Sequence, residues 1–391
     1  MRGIELPAPT EDFTADPVEL FFDLAYVFAF SQLVSILIVE PTWSGVGKAA
    51  LLFGLLWLPW QQLTWAANAV SGNGRKIRVI FLAATVLSIP MAAATSTALE
   101  GGGLVFALSL SGIMILGFFI QALGSSAGTA MRLAVVWWIA PNVISIAVLT
   151  AGGVAEGAAR RFLWVITLIL VLGAMILAGN SEWLIRIGHM AERHALIVII
   201  ALGEVIVAIG IPVANTLQEQ ETLPVATVGA LVAAGLFAGL LWWSYFDRPG
   251  PGLEHRGHTL LTDRERGRYV RDVYTWSHAP IVAGIMLSAA ALEEIALHPL
   301  DPVSTSFRTM LAGGLLMIAT GISSAVWRAN GAVAAERIVA TFAIAGFVLA
   351  AASINGVSLL GMVVAMMLIG LTIEAVRIDR TGSVSPVSNH S

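Results

Sequence analysis

Between Arg337 and Glu374 the chain runs from Ile338 to Ile373 without one ionisable side chain. As a single helix that run would be about 54 Å long, well beyond the ~30 Å hydrocarbon core of a bilayer. Ser353-Ile354-Asn355-Gly356 lies near its middle and is a turn signal. The run therefore reads as two spans joined by a hairpin. Ala49 to Gly74 and Val79 to Leu99 are further uncharged runs of spanning length. With 57% hydrophobic and only 12% charged residues, about half the charged share of a soluble domain, the chain reads as an all-α membrane protein. About twelve transmembrane helices are expected, near 18–39, 48–70, 77–99, 104–123, 132–151, 162–180, 191–211, 223–246, 270–293, 308–328, 336–352 and 356–376.

Basic residues orient these spans. With the N-terminus inside, the tail and the loops after even-numbered spans hold 17 of the 21 Lys and Arg residues. Six of them lie between Arg248 and Arg271. Only Lys48, Arg160, Arg161 and Arg308 fall on the other side. By the positive-inside rule both termini are cytoplasmic. The tail 1–17 is acidic and proline-bearing, with no cleavable signal peptide. The polar loop 248–268 is a solvated connector, or a regulatory or lipid-headgroup contact. A net charge of −4 speaks against nucleic acid as a partner. There is no cysteine, which excludes disulfides and thiolate chemistry; no cofactor is evident and no metal site is expected.

A weak twofold repetition sets 18–186 beside 187–377, followed by a tail, 378–391, expected to be disordered. Glu19 and Asp23 open the first half, and Glu192, Arg193 and His194 the second. Spans 3 and 9 each contain a proline, Pro90 and Pro280. Six spans per half is an even number, so the repeat would be parallel, about an axis along the membrane normal.

Asp16-Pro17 is a helix-start signal, and it puts Glu19 and Asp23 four apart on one face. Gln32 and Ser35 lie further along the same helix. Glu19 has a bland reading as an acid at a helix N-terminus, whereas Asp23 is followed by an apolar run and belongs inside the membrane. Glu204 lies about 18 Å along the axis from Glu192, deep in its span. A carboxylate there needs a cation or a proton, and Arg193, His194 and His278 are the expected partners. Trp57, Gln61, Thr64 and Asn68 form one helical face. Trp242, Trp243 and Tyr245, then Tyr274 and His278, add aromatic and imidazole groups. They are interface anchors, or the walls of a cavity suited to a cation or a flat organic molecule.

VELFFDLAYVFAFSQL in the first span and HMAERHALIVIIALGEVIVAIG in the seventh resemble the signatures of the bacterial low temperature requirement A (LtrA) family. YTWSHAPIVAGIMLSAAALE is similar to its downstream motif. The resemblance covers Val18 to about Arg377 and implies a multi-pass protein of the bacterial cytoplasmic membrane. Carried over motif by motif, it singles out Glu19, Phe22, Asp23 and Gln32, then His189, Glu192, Arg193, Gly203 and Glu204. Tyr26 departs from the apolar stretch expected after Asp23. The resemblance implies no agreed substrate or reaction.

Three functions remain open on these residues. A secondary transporter of a small organic solute or cation would use Asp23, Glu192 and Glu204 as binding or coupling acids. An intramembrane enzyme acting on a lipid or isoprenoid would use Asp23, Glu192, Glu204 and His278 as catalytic groups, with tryptophans stabilising a developing cation. In a non-catalytic membrane-homeostasis factor the acids would only tie helices together.

Overall fold

The computed structural model describes residues 14–68, 70, 74–124, 129–178, 185–220, 222–332 and 334–381. Most of the N-terminal tail, Glu182 and residues 382–391 of the C-terminal tail lie outside them. Fourteen α-helices are described: α1 Pro17–Val39, α2 Trp43–Asn68, α3 Arg75–Ala94, α4 Gly103–Gly124, α5 Thr129–Val154, α6 Gly157–Ala178, α7 Ile187–Gln220, α8 Val225–Phe246, α9 Pro249–His258, α10 Asp263–Val270, α11 Ser277–Leu297, α12 Thr305–Asn330, α13 Ala335–Ala350 and α14 Gly356–Thr381. A π-helical turn, Arg271–Trp276, joins α10 to α11. No strand occurs among the described residues.

Ten helical stretches are long and apolar enough to cross a membrane. Two expected spans fall short by those criteria. The polar and tryptophan-rich stripe of α2 lowers its apolarity, and α13 has only 16 residues. The expected hairpin is present: α13 ends at Ala350 and α14 begins at Gly356. Its turn is pinned to the α11–α12 connection by Gly356 N–H to Asp301 O and Val357 N–H to Pro299 O, both 2.9 Å. Residues 378–381, placed in the tail by sequence, continue α14.

Helices α1, α7 and α11 touch one another at the centre, and α2 packs against all three. Helices α3 to α6 lie on the α1 side, and α8 and α12 to α14 on the α7 and α11 side. The neighbour pairs α1–α2, α1–α3, α3–α4, α4–α5 and α5–α6 have counterparts in α7–α8, α7–α11, α11–α12, α12–α13 and α13–α14. Helices α11 and α12 approach backbone to backbone. A Cβ at Gly284 would sit 2.5 Å from Gly314 O, and one at Gly314 would sit 2.5 Å from Gly284 O. Glycine is therefore required at both.

Helix ends are closed by side chains, as buried carbonyls demand. Asp16 caps α1 in a reciprocal box with Glu19. Buried Arg160 donates to Ala98 O and Ala155 O, both at 2.9 Å, and to Glu100 O. Arg308 donates to Leu349 O at the end of α13, at 3.2 Å. The polar loop 248–268 is largely exposed and forms two short helices; Tyr269 donates to Leu253 O at 2.7 Å, and Arg256 to Ala329 O at 3.2 Å.

Candidate functional site

Helices α1 and α7 lie side by side and parallel, and their polar residues meet at two levels. At the first, the acids of α1 meet the bases of α7. Arg193 Nη1 lies 2.5 Å from Glu19 Oε2, Arg193 Nη2 lies 2.8 Å from Asp23 Oδ1, and His189 Nε2 donates to Glu19 Oε2 at 2.9 Å. All four side chains are buried. The i, i+4 spacing of each pair explains the match, because 19 and 23, like 189 and 193, occupy one ridge of their helix. Trp60 of α2 completes the cluster. Its indole N–H donates to Asp23 Oδ1 at 2.7 Å, and its ring lies 5.6 Å from the Arg193 guanidinium carbon. Among the described residues, Asp23 Oδ2 and the Tyr26 hydroxyl are buried without a hydrogen-bond partner.

Beside this cluster α2, α7, α8 and α11 build a directional network. His194 Nδ1 faces Met190 O at 2.7 Å; a carbonyl only accepts, so Nδ1 carries the proton and Nε2 accepts. Gln61 Nε2, 2.9 Å away, donates to that Nε2. Thr275 donates to Gln61 Oε1 at 3.0 Å and accepts from Trp65 Nε1 at 3.1 Å. Its carbonyl accepts from Trp57 Nε1 at 3.2 Å. Thr275 sits in the π-helical turn, a local irregularity of the kind that clusters at functional positions. His278 repeats the pattern: Nδ1 donates to Val273 O at 2.9 Å and Nε2 accepts from the Tyr245 hydroxyl at 2.7 Å. The His194 ring lies 5.1 to 5.3 Å from those of Tyr274, His278 and Trp60. The Tyr274 hydroxyl is buried and has no hydrogen-bond partner among the described residues.

At the second level, eleven residues beyond Arg193, Glu204 is 2% exposed. Ser31 of α1 donates to Glu204 Oε2 at 2.6 Å.

The sequence profile of the bacterial low temperature requirement A family matches residues 14–372. The chain belongs to that family. Among curated proteins, the chain is similar to the uncharacterized protein RA0937 of Rhizobium meliloti (strain 1021), 28% identical over 325 residues, which cover 80% of this chain and 77% of the relative. No solved structure matches the chain.

In this LtrA chain the expected site residues separate into groups. Glu19, Asp23, His189, Arg193, Trp57, Gln61, His194, Tyr245, Tyr274 and His278 come together. Asn68 instead joins the end of α2 to the start of α7, its Oδ1 accepting from Arg186 N–H at 3.1 Å. Glu192 accepts from Ala15 N–H at 2.5 Å, tethering the segment before α1. Trp242 and Trp243 are 45% and 55% exposed, outside the cluster, where the anchor reading applies. Gln32 is half-buried and Ser35 exposed; Ser31 is the α1 residue that meets Glu204. The cations expected beside Glu204 are all engaged elsewhere. Phe22 packs on Tyr26 and Phe81, at 5.3 and 6.0 Å, and Gly203 faces open space.

Trp60, Ser31 and Thr275 were not legible as site residues in the same way. Ser31 lies on the i+4 row that runs from Glu19 through Asp23, and Trp60 shares the stripe of Trp57 and Gln61, so both carried a helical signal. Thr275 carried none, because a π-turn shifts the register of every residue after it. No group of three or more metal-binding side chains occurs among the described residues.

Proposed function

We propose that this LtrA-family protein is a proton-linked secondary transporter of a small organic solute or cation, with Glu204 as the group that takes up and releases the proton. The observation that carries this reading is the pairing of Glu204 with Ser31. A carboxyl in mid-span requires a counter-cation or a proton. Glu19 and Asp23 have Arg193, whereas the described partner of Glu204 is a hydroxyl. That hydroxyl serves both protonation states. Ser31 donates to the carboxylate, or accepts from the carboxylic acid while donating to Val27 O, 3.3 Å away. Aromatic faces around His194 supply a surface for an organic cation.

The reading includes twelve spans, with α2 and α13 crossing alongside the ten more apolar helices, and both termini in the cytoplasm. Three of the four basic residues on the opposite side support the orientation. Arg160 and Arg308 are buried on carbonyls, and Lys48 pairs with Glu40 at 2.5 Å. A parallel duplication of two six-helix halves, 18–186 and 187–377, is supported by the neighbour pairs the halves share.

The test is transport into proteoliposomes enclosing a pH-sensitive dye, with tetraphenylphosphonium as probe cation and a panel of organic solutes. The expected result is solute-dependent proton movement that Glu204→Gln abolishes and Glu204→Asp partly restores. Wild-type proton movement in a folded Glu204→Gln protein would overturn it.

A second reading, an intramembrane enzyme acting on a lipid or isoprenoid, is favoured by the imidazole and phenol groups of His194, His278, Tyr245 and Tyr274 packed among tryptophans. Its mark would be a chemically altered lipid, detected by mass spectrometry after incubation with membrane extracts.

A further inference from the structure

Between α1, α2, α11 and α12 lies a groove of about 350 Å³. Leu33, Leu37, Ala50, Phe53, Ala283 and Met286 are among its walls, and every lining side chain is apolar. Water there would find no hydrogen-bonding side chain, and apolar cavities of this kind stay dry. Hydrocarbon is the chemistry that fits. The space exists because alanines, at Ala49, Ala50, Ala279 and Ala283, stand where larger residues would close it.

The two ends of the groove differ. At one, a second cavity of about 300 Å³ adjoins it through the shared wall of Val46 and is lined by Thr42, Thr305, Ser306 and Thr309. Trp43 also lines this mouth and is 79% exposed, as a tryptophan at the headgroup level of a bilayer is. At the other end Phe53 stacks on Trp57, 5.7 Å between ring centres, and the Trp57 indole is bonded to Thr275 O. From Trp43 to Phe53 helix α2 rises about 15 Å. The shape is an apolar slot with hydroxyls at one mouth.

We propose that this slot binds one acyl chain of a bilayer phospholipid, with the headgroup among the hydroxyls of Thr42, Thr305, Ser306 and Thr309 and the chain tip against Phe53 and Trp57. The concave walls and the polar mouth distinguish it from the outward faces of the helices, which lipid also covers. The site is independent of the role of Glu204, so either assignment can fail without the other.

The test uses the full-length protein in phosphatidylcholine nanodiscs containing phosphatidylcholine with a diazirine near the end of one acyl chain. After photolysis, peptide mass spectrometry locates the adducts. Adducts on Phe53, Met286 or Met317 are expected to exceed those on the exposed α3 residues Val86 and Ile89 several-fold. Ala283→Phe should reduce the groove adducts about tenfold and leave those on α3 unchanged. If Ala283→Phe does not fold, Ala50→Leu serves, and dilution with unlabelled phosphatidylcholine should lower groove labelling in the unaltered protein. Groove labelling no stronger than on α3, or persisting in a folded filling variant, overturns the proposal. So does labelling by diazirine-bearing palmitic acid alone, which would make a free fatty acid the occupant.

Discussion

The Arg193 guanidinium of α7 lies 2.5 Å from Glu19 Oε2 of α1, and its second terminal nitrogen reaches Asp23 Oδ1 one turn away at 2.8 Å. One planar fork thus bridges two buried carboxylates, the geometry for which arginine is better suited than lysine. His189 and Trp60 occupy further acceptor positions of the same acids. The cluster locks α1 to α7 at the basic-residue-rich end of the bundle and leaves Glu204, deeper in the span, to a hydroxyl.

Replacing Arg193 with methionine strands two buried carboxylates and should lower stability by about 3–5 kcal/mol, the usual result of removing one partner of a buried pair. Arg193→Lys keeps the charge without the fork and should fall between methionine and wild type. Thermal unfolding in detergent measures both. If Arg193→Met combined with Glu19→Gln and Asp23→Asn is no more stable than Arg193→Met alone, the ion pairs are not what the substitution removes.

Thr275→Val deletes the hydroxyl between Gln61 and Trp65 while preserving the carbonyl that receives Trp57. A loss of about 1–2 kcal/mol is expected for the two bonds, with a change in near-ultraviolet circular dichroism as the Trp65 indole loses its acceptor. Thr275→Ser should restore both. An unchanged spectrum in the valine variant would show that the hydroxyl does not hold Trp65.

Gly284→Ala places a methyl group 2.5 Å from the backbone oxygen of Gly314. Backbone cannot rotate aside as a side chain does, so α11 and α12 must separate. A loss of about 1–3 kcal/mol follows for such overpacking. Gly313→Ala, at the residue just before Gly314 on α12 and facing open space, is the control and should melt like the wild type. Equal melting temperatures for the two variants would contradict the close crossing.

The chain contains no cysteine, so single cysteines report topology on a silent background. With both termini cytoplasmic, Glu156→Cys between α5 and α6 should react with a membrane-impermeant maleimide added to intact cells. Arg264→Cys in α10 should react only after permeabilisation. Both positions are exposed, and the reverse pattern would invert the orientation.

Much of the scaffold was legible because spanning length, charge bias and turn chemistry are local properties. The uncharged run from Ile338 to Ile373 split at Ser353–Gly356, and Asp16-Pro17 began α1. The site was legible in part. Glu19, Asp23, Arg193 and His194 stood out as ionisable groups in apolar surroundings, and their i+4 rows indicated a shared face. Trp242 and Trp243 were equally prominent by type, yet they face outward. Residue type signals an unusual group; the rotation of the helix decides where it points.

The sequence by itself determined that this chain is a helical membrane protein of the LtrA family with acids inside its spans, since transfer of side chains between water and hydrocarbon depends on what those side chains are. Tertiary structure decided which acid meets which partner. Glu19 and Asp23 meet Arg193, and Glu204 meets Ser31, because α1 and α7 lie parallel with their i+4 ridges in contact. Thr275 joined the site through a π-turn, and the apolar slot through alanines on separate helices. Each depends on helices distant in sequence lying side by side, and periodicity within one helix carries no record of its neighbours.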